Sequence, residues 1–240
     1  MSNHYFRFKQ FTVQQEHCAM KVCTDACLFG AYVADILQDF KLKPGQALDI
    51  GTGTGLLSLM LAQKNQMHID AVEIETGAYK QAKDNFLHSP WSERLTALNI
   101  DIATFESNKK YDCIISNPPF FEGDLKSGYH HKNAAKHESA LTLDILVRVV
   151  QKHLRADGLF AVLLPYHRTE YLIAQAEKYG LHPRQKMLVK QTSGHGYFRT
   201  ILSFGFNQVN TATGEITIKD EKNNYTLAFA SLLKEYYLYL

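Results

Sequence analysis

Along this chain, short unbroken apolar runs bounded by turn residues alternate with longer stretches whose apolar positions recur at helical spacing. The runs predict buried strands at 46–50, 68–73, 95–100, 111–117, 158–164, 185–190 and 200–206, because a strand covered on both faces needs no polar alternation. The stretches between them predict helices over 25–38, 55–64, 75–87, 142–154 and 168–178. Strands and helices that alternate in this way build an α/β fold. Each parallel crossover needs a helix, and each helix buries its apolar stripe on the sheet. The expectation is a mostly parallel seven-stranded sheet with helices on both faces. No internal repeat is visible.

Two regions depart from the alternation. Residues 225–237 carry apolar and aromatic positions at helical spacing, so 221–240 is expected to form a C-terminal helix packed on the core. Residues 121–137 are the least regular and are expected to form a loop, while 1–30 form an N-terminal extension. With 240 residues, 45% of them apolar, the chain is long enough for one well-buried domain over 1–240.

Charge narrows the picture only slightly. A net charge of +2 and an isoelectric point near 8.2 are too mild to identify a nucleic-acid binder, which usually shows a locally basic surface. The four cysteines, Cys18, Cys23, Cys27 and Cys113, form no C-x-x-C pair and lack a histidine spaced to complete a zinc site, so they read as reduced structural thiols. There is no apolar run of about 18 residues and no signal-peptide core after Met1, which points to a cytoplasmic protein with no membrane span. G-x-S-x-G, the commonest hydrolase elbow, is absent.

The chemistry begins at Ala47-Leu48-Asp49-Ile50, which runs into Gly51-Thr52-Gly53-Thr54-Gly55 and then an apolar helical pattern. This is a nucleotide-binding βα turn, since glycines let backbone approach a ligand and the following helix offers unpaired N–H groups. A second strand ends on Glu73, 18 residues past Gly55, near the interval at which a carboxylate meets ribose hydroxyls. A nicotinamide enzyme would look similar. Against it, the glycines run G-x-G-x-G, and Asp49 would crowd a pyrophosphate. S-adenosyl-L-methionine carries no phosphate and presents a positive amino group and a positive sulfur, which a carboxylate attracts.

The second motif is Asn117-Pro118-Pro119-Phe120, directly after the run at 111–116. An exocyclic amine on a base is a poor nucleophile because its lone pair is delocalised into the ring. The Asn117 side-chain oxygen and a backbone carbonyl at Pro118, fixed by the following proline, could accept both N–H bonds while Phe120 stacks on the ring. The position suits the task, since open α/β sheets bind ligands at the carboxyl ends of their strands. A Pro-rich turn closing a strand is the plainer reading.

Together, D-x-G-x-G-x-G at Asp49–Gly55 and Asn117–Phe120 resemble the class I S-adenosylmethionine methyltransferases of the amino-methylating branch, with a Rossmann-like fold. His17 to Asp25, the pair Gly30-Ala31, Asn117–Phe120 and the ending from Asn224 to Leu240 are similar to the bacterial tRNA1(Val) (adenine(37)-N6)-methyltransferases, over nearly the whole chain. The resemblance implies methylation of N6 of the adenosine just 3′ of a tRNA anticodon, yielding N6-methyladenosine and S-adenosyl-L-homocysteine. It implies that Lys21, Thr24 and Asp25 lie near the methionine end of the cofactor, and that Asp101 accepts a hydrogen bond from its adenine amino group. Thr24 and Asp101 would equally serve as helix caps. Two residues depart from the family form, Phe120 where Tyr is frequent and Cys23 where Gly is. In-line methyl transfer of this kind needs neither a metal nor a covalent enzyme intermediate, so His130, His131 and His137 are read as exposed or phosphate-facing, not as ligands.

The loop 121–137 follows the tetrapeptide directly. Lys126, Lys132 and Lys136 outnumber its acids, and Phe121 and Tyr129 add flat faces, a mixture suited to RNA backbone and splayed bases. A merely solvated loop remains the alternative. The anticodon stem-loop of a tRNA is the expected partner and a monomer the expected state. Other readings stay open at this point: guanine-N2 methylation of ribosomal RNA, methylation of a protein glutamine amide, and a catalytically silent RNA-binding protein.

Overall fold

The computed structural model describes residues 3–39, 45–119 and 141–240. A small antiparallel hairpin comes first, β1 (Tyr5–Arg7) with β2 (Thr12–Gln14). Helix α1 (Thr24–Asp39) leads to the main sheet: β3 (Gln46–Ile50), α2 (Leu56–Lys64), β4 (His68–Glu73), α3 (Thr76–Leu87), β5 (Leu95–Asn99) and β6 (Tyr111–Ser116). After the tetrapeptide come α4 (Leu143–His153), β7 (Leu154–Pro165), α5 (Thr169–Glu177), β8 (His182–Thr192), β9 (Tyr197–Gly205), β10 (Ala212–Lys219) and α6 (Leu227–Leu233).

The sheet order is β10-β8-β9-β7-β6-β3-β4-β5, and only β9 runs antiparallel to its neighbours. The sheet thus has eight strands, a correction to the expected seven. The added strand, β10, pairs parallel with β8 at the edge, where one side needs no partner. Its sequence is mostly polar and includes Gly214, and only Ile216 and Ile218 are buried, so its apolar signal is weak. Strand β7 also starts earlier than its apolar run. Leu154 pairs with Tyr111 and Leu159 with Cys113, so a bulge absorbs the extra residues between them.

Two apolar clusters, one for each face of the sheet, follow from the two-residue period of the strands. Ala47, Cys113 and Ile115 join Leu59, Met60 and Phe29 of α2 and α1. Leu48, Ile50 and Ile114 join Leu146, Val150 and Leu172 of α4 and α5. The tail adds to the first cluster: Thr226 caps α6 by accepting from Phe229 N, Phe229 and Leu233 are buried, and the Tyr236 hydroxyl donates to the Met60 carbonyl at 3.0 Å. Each such large apolar side chain contributes about 1.5–3 kcal/mol on burial. The cysteines are packing groups: Cys18, Cys27 and Cys113 are buried and Cys23 is half-buried. Burial pushes the thiols of Cys18, Cys23 and Cys27 up to about 12, and that of Cys113 up as well.

The strand order places the site. The chain leaves β3 for β4 and β5 on one side, then returns to β6 on the other, so the carboxyl ends of β3 and β6 flank a topological switch point. Among the described residues, no helix is long and apolar enough to cross a membrane.

Candidate active site

At the switch point, Ile50 pairs with Ser116, and the Ser116 hydroxyl donates to the Ile50 carbonyl at 2.9 Å. The glycine turn and the Asn117-Pro118-Pro119 segment are therefore the next residues on two adjacent strands. Gly51 N and Thr52 N donate to the Val72 carbonyl, which folds the turn against β4. Gly53 and Gly55 have φ of 57° and 83°, in the left-handed region where a Cβ is strained. A Cβ at Gly55 would lie 2.5 Å from the Phe86 ring, whereas one at Gly51 or Gly53 would meet nothing within 4 Å. The turn thus presents bare backbone on its outer side and close packing at its base.

Asp49 is fully buried beneath this turn. Its Oδ2 accepts from the Thr52 hydroxyl at 2.6 Å and the Ser58 hydroxyl at 2.7 Å, while Oδ1 is buried without a partner among the described residues. Burial pushes the carboxyl up to about 6; the two hydroxyls pull it down and nearby Glu73 raises it further. Glu73, at the end of β4, accepts from Gly53 N at Oε2 and from Glu75 N at Oε1, both at 2.9 Å. It braces the glycine turn through Oε2 and its own following backbone through Oε1, and each oxygen keeps further lone pairs for a ligand.

Asn117 is half-buried, and its Oδ1 is a second buried oxygen with no partner among the described residues. Pro118 is buried and Pro119 exposed. An unpaired buried acceptor costs about 1–3 kcal/mol, so two of them at adjoining strand ends mark a place where a donor belongs. A ligand with a positive amino group and sulfur fits the turn on these grounds: bare backbone, a buried carboxylate with a spare oxygen, and a second carboxylate beside it.

The remaining predicted residues take separate positions. Asp101 follows β5, and its Oδ1 accepts from Ala103 N at 2.8 Å, capping the short 3-10 turn Ile102–Thr104. Lys21 is exposed, and Thr24 opens α1. Asp25 is bonded through Oδ2 to Arg199 Nε of β9 at 2.8 Å and through Oδ1 to Ala26 N at 3.1 Å. At the other end of this segment, His17 N donates to Gln81 Oε1 of α3 at 3.4 Å. Residues 17–25 therefore run along the carboxyl rim from α3 to β9. Phe120, Phe121, Lys126, Lys132, Lys136 and the histidines at 130, 131 and 137 lie outside the described residues. Among the described residues, no group of three His, Cys, Asp or Glu side chains is placed to hold a metal ion.

Three residues of the site escaped sequence reasoning. Thr52 and Ser58 hold Asp49, and a hydroxyl in the glycine turn with another on the next helical turn is a signal that could have been read. Arg199 is 174 residues from Asp25, and no local pattern pairs them.

A family model described as Methyltransferase small domain matches residues 20–183. A curated relative from Cytophaga hutchinsonii is 40% identical over 244 residues, covering 100% of both chains, and one from Pectobacterium carotovorum is 36% identical, covering 98% of this chain and 94% of the relative. Both are named tRNA1(Val) (adenine(37)-N6)-methyltransferase. Among solved structures, a predicted O-methyltransferase from Agrobacterium tumefaciens superposes with a TM-score of 0.66 at 15% identity, covering 88% of this chain and 96% of that one. The glycopeptide N-methyltransferase MtfA, complexed with S-adenosyl-L-methionine, gives 0.55 at 10% identity, covering 74% and 94%. These structural likenesses show a class I methyltransferase fold. With full-length relatives at this identity and a glycine turn and Asn-Pro-Pro segment side by side, the chain belongs to the tRNA1(Val) (adenine(37)-N6)-methyltransferase family.

Proposed function

We propose that this chain methylates N6 of adenine 37 in tRNA1(Val), with S-adenosyl-L-methionine as methyl donor and S-adenosyl-L-homocysteine as product. The observation that carries the reading is the buried Asn117 Oδ1, without a partner among the described residues and one residue past the strand pair that also bears the glycine turn. When bound, the donor supplies a methyl group on a positively charged sulfur. Asp49, Gly51, Gly53, Gly55, Glu73 and Asp101 are the residues that would hold it, with Lys21, Thr24 and Asp25 toward its methionine end.

The chain's own groups then act on the acceptor. Asn117 Oδ1 and the Pro118 carbonyl accept the two N–H bonds of the adenine amine, which draws its lone pair out of the ring and aims it. Pro119 fixes that carbonyl, and Phe120 supplies a flat face for the base. Orientation of this kind contributes most of the acceleration, and no side chain needs to become a covalent intermediate. The anticodon loop presents its bases already unpaired, which lowers the cost of turning one out. Such a substrate places the work in the cytoplasm.

The test is transfer from labelled S-adenosyl-L-methionine to separate pools of tRNA, ribosomal RNA, DNA and protein, followed by digestion and mass analysis. N6-methyladenosine from tRNA is expected. N2-methylguanosine from ribosomal RNA, or label in protein, would overturn the acceptor assignment while leaving the fold untouched.

A further inference from the structure

Beside the Asn-Pro-Pro segment, the carboxyl rim carries a surface of different character. Val162 of β7 pairs with Ser116, so the carboxyl ends of β6 and β7 lie side by side, and Tyr166, which follows the last residue of β7, shares the rim with the Asn-Pro-Pro segment that follows β6. Tyr166 opens the 3-10 turn Tyr166–Arg168 and is 43% exposed. Its ring lies 5.3 Å from that of Tyr197 at the start of β9, tilted by 46°. Tyr197 is held in place, its hydroxyl donating to Glu215 Oε2 at 2.6 Å while Lys190 Nζ lies 4.7 Å from its ring centroid. On the other flank, the Arg168 guanidinium lies 4.8 Å over the ring of Tyr171, which is 46% exposed.

Neither core cluster contains these tyrosines. Exposed rings grouped beside a site mark an interaction surface. Rings accompanied by Arg and Lys offer what single-stranded nucleic acid uses: flat faces for bases and cations for phosphates.

We infer that Tyr166, Tyr171 and Tyr197, with Arg168 and Lys190, form a docking platform on which unpaired RNA nucleotides flanking the methylated adenosine stack. The inference rests on the RNA-methylating reading above and names the surface that reading leaves unassigned. Tyr166, on the strand next to the one that leads into Asn117, receives the nucleotide next to the target; Arg168 meets the backbone that follows, and Lys190, which also pairs with Glu215 at 3.4 Å, adds to it.

The experiment measures binding of an anticodon stem-loop RNA to the full chain and to Tyr166→Ala, with cofactor affinity and melting temperature as controls for folding. Loss of one stacking contact should weaken RNA binding by about tenfold, and Tyr166→Phe should restore it. In Tyr166→Trp, RNA should quench the new indole fluorescence, and an RNA abasic at the neighbouring nucleotide should not. If Tyr166→Ala binds RNA as the parent does, or the Trp variant shows no base-dependent quenching, the platform is wrong even though the parent methylates RNA. If the parent methylates no RNA and labels protein instead, the functional reading and the platform fall together.

Discussion

The two halves of the carboxyl rim solve opposite problems. At the ends of β3 and β4, Asp49 and Glu73 are buried, and three of their four carboxylate oxygens are fixed by hydroxyls and backbone N–H groups at 2.6–2.9 Å. At the ends of β7 and β8, Tyr166 and Tyr171 stand in solvent beside Arg168 and Lys190. The first half concentrates negative potential where water cannot screen it, which suits a small cation held in one geometry. The second spreads flat faces over an open surface, with Arg168 on one ring and the Lys190–Glu215 pair behind another, which suits a long anion that must come and go. On the proposed reading, one sheet would separate short-range, salt-insensitive recognition from long-range, salt-sensitive recognition by the degree of burial at its strand ends.

The largest effect should come at the boundary between the halves. Asn117→Ala should lower kcat by about 100- to 1000-fold, the loss of one preorganised acceptor, with cofactor affinity nearly unchanged; isothermal titration beside single-turnover kinetics checks both. Retained turnover would remove the tetrapeptide from the chemistry.

Asp49→Asn comes next and should act in two directions. Cofactor affinity should fall about ten- to hundredfold, at low and high salt alike. Stability should move the other way. The folded carboxyl sits at about 6 against an ordinary 3.8, so between about pH 4 and 6 the folded state holds the extra proton. Stability of the ligand-free protein therefore falls as pH rises through that window, by about 3 kcal/mol in all. Asp49→Asn should flatten this slope in urea titrations and leave the ligand-free protein at least as stable at pH 7.5.

Arg199→Ala leaves Asp25 without its partner in a mostly buried position and should destabilise by about 1–2 kcal/mol, read as a lower urea midpoint. The smallest change is expected from Arg168→Ala, a few-fold loss of RNA affinity at low salt that vanishes as salt rises, with the salt slope reduced by about one. An Arg168→Ala effect that ignored salt, or an Asp49→Asn effect that followed it, would break the division between the halves.

Much of the fold was legible because burial on both faces writes an unmistakable apolar run. Strands β3, β4 and β6 match their predicted ends closely, and the glycine turn and tetrapeptide could be placed by counting along them. Edges were harder. Strand β10 needs only one covered side and hides its two inward isoleucines among Thr, Gly and Glu, while β1 and β2 are three residues each, too short for a period to register. Within the site, positions that depend on backbone geometry, such as Gly53 and Asp49, could be read locally. Contacts that depend on the closure of distant segments, such as Asp25 with Arg199 and Tyr166 with Tyr197, could not.

The packed thiols carry a consequence for how the molecule meets its chemical surroundings. Cys18, Cys23, Cys27 and Cys113 are held as neutral S–H groups by burial, and the thiolate is the form that reacts with peroxides and alkylating reagents. An oxidising burst should therefore spare Cys18, Cys27 and Cys113 as long as the chain stays folded. Three of these groups, Cys23, Cys27 and Cys113, belong to the cluster under α1 and α2, so brief pulses of iodoacetamide, read as mass added per chain, would report how often that one face of the sheet opens to solvent.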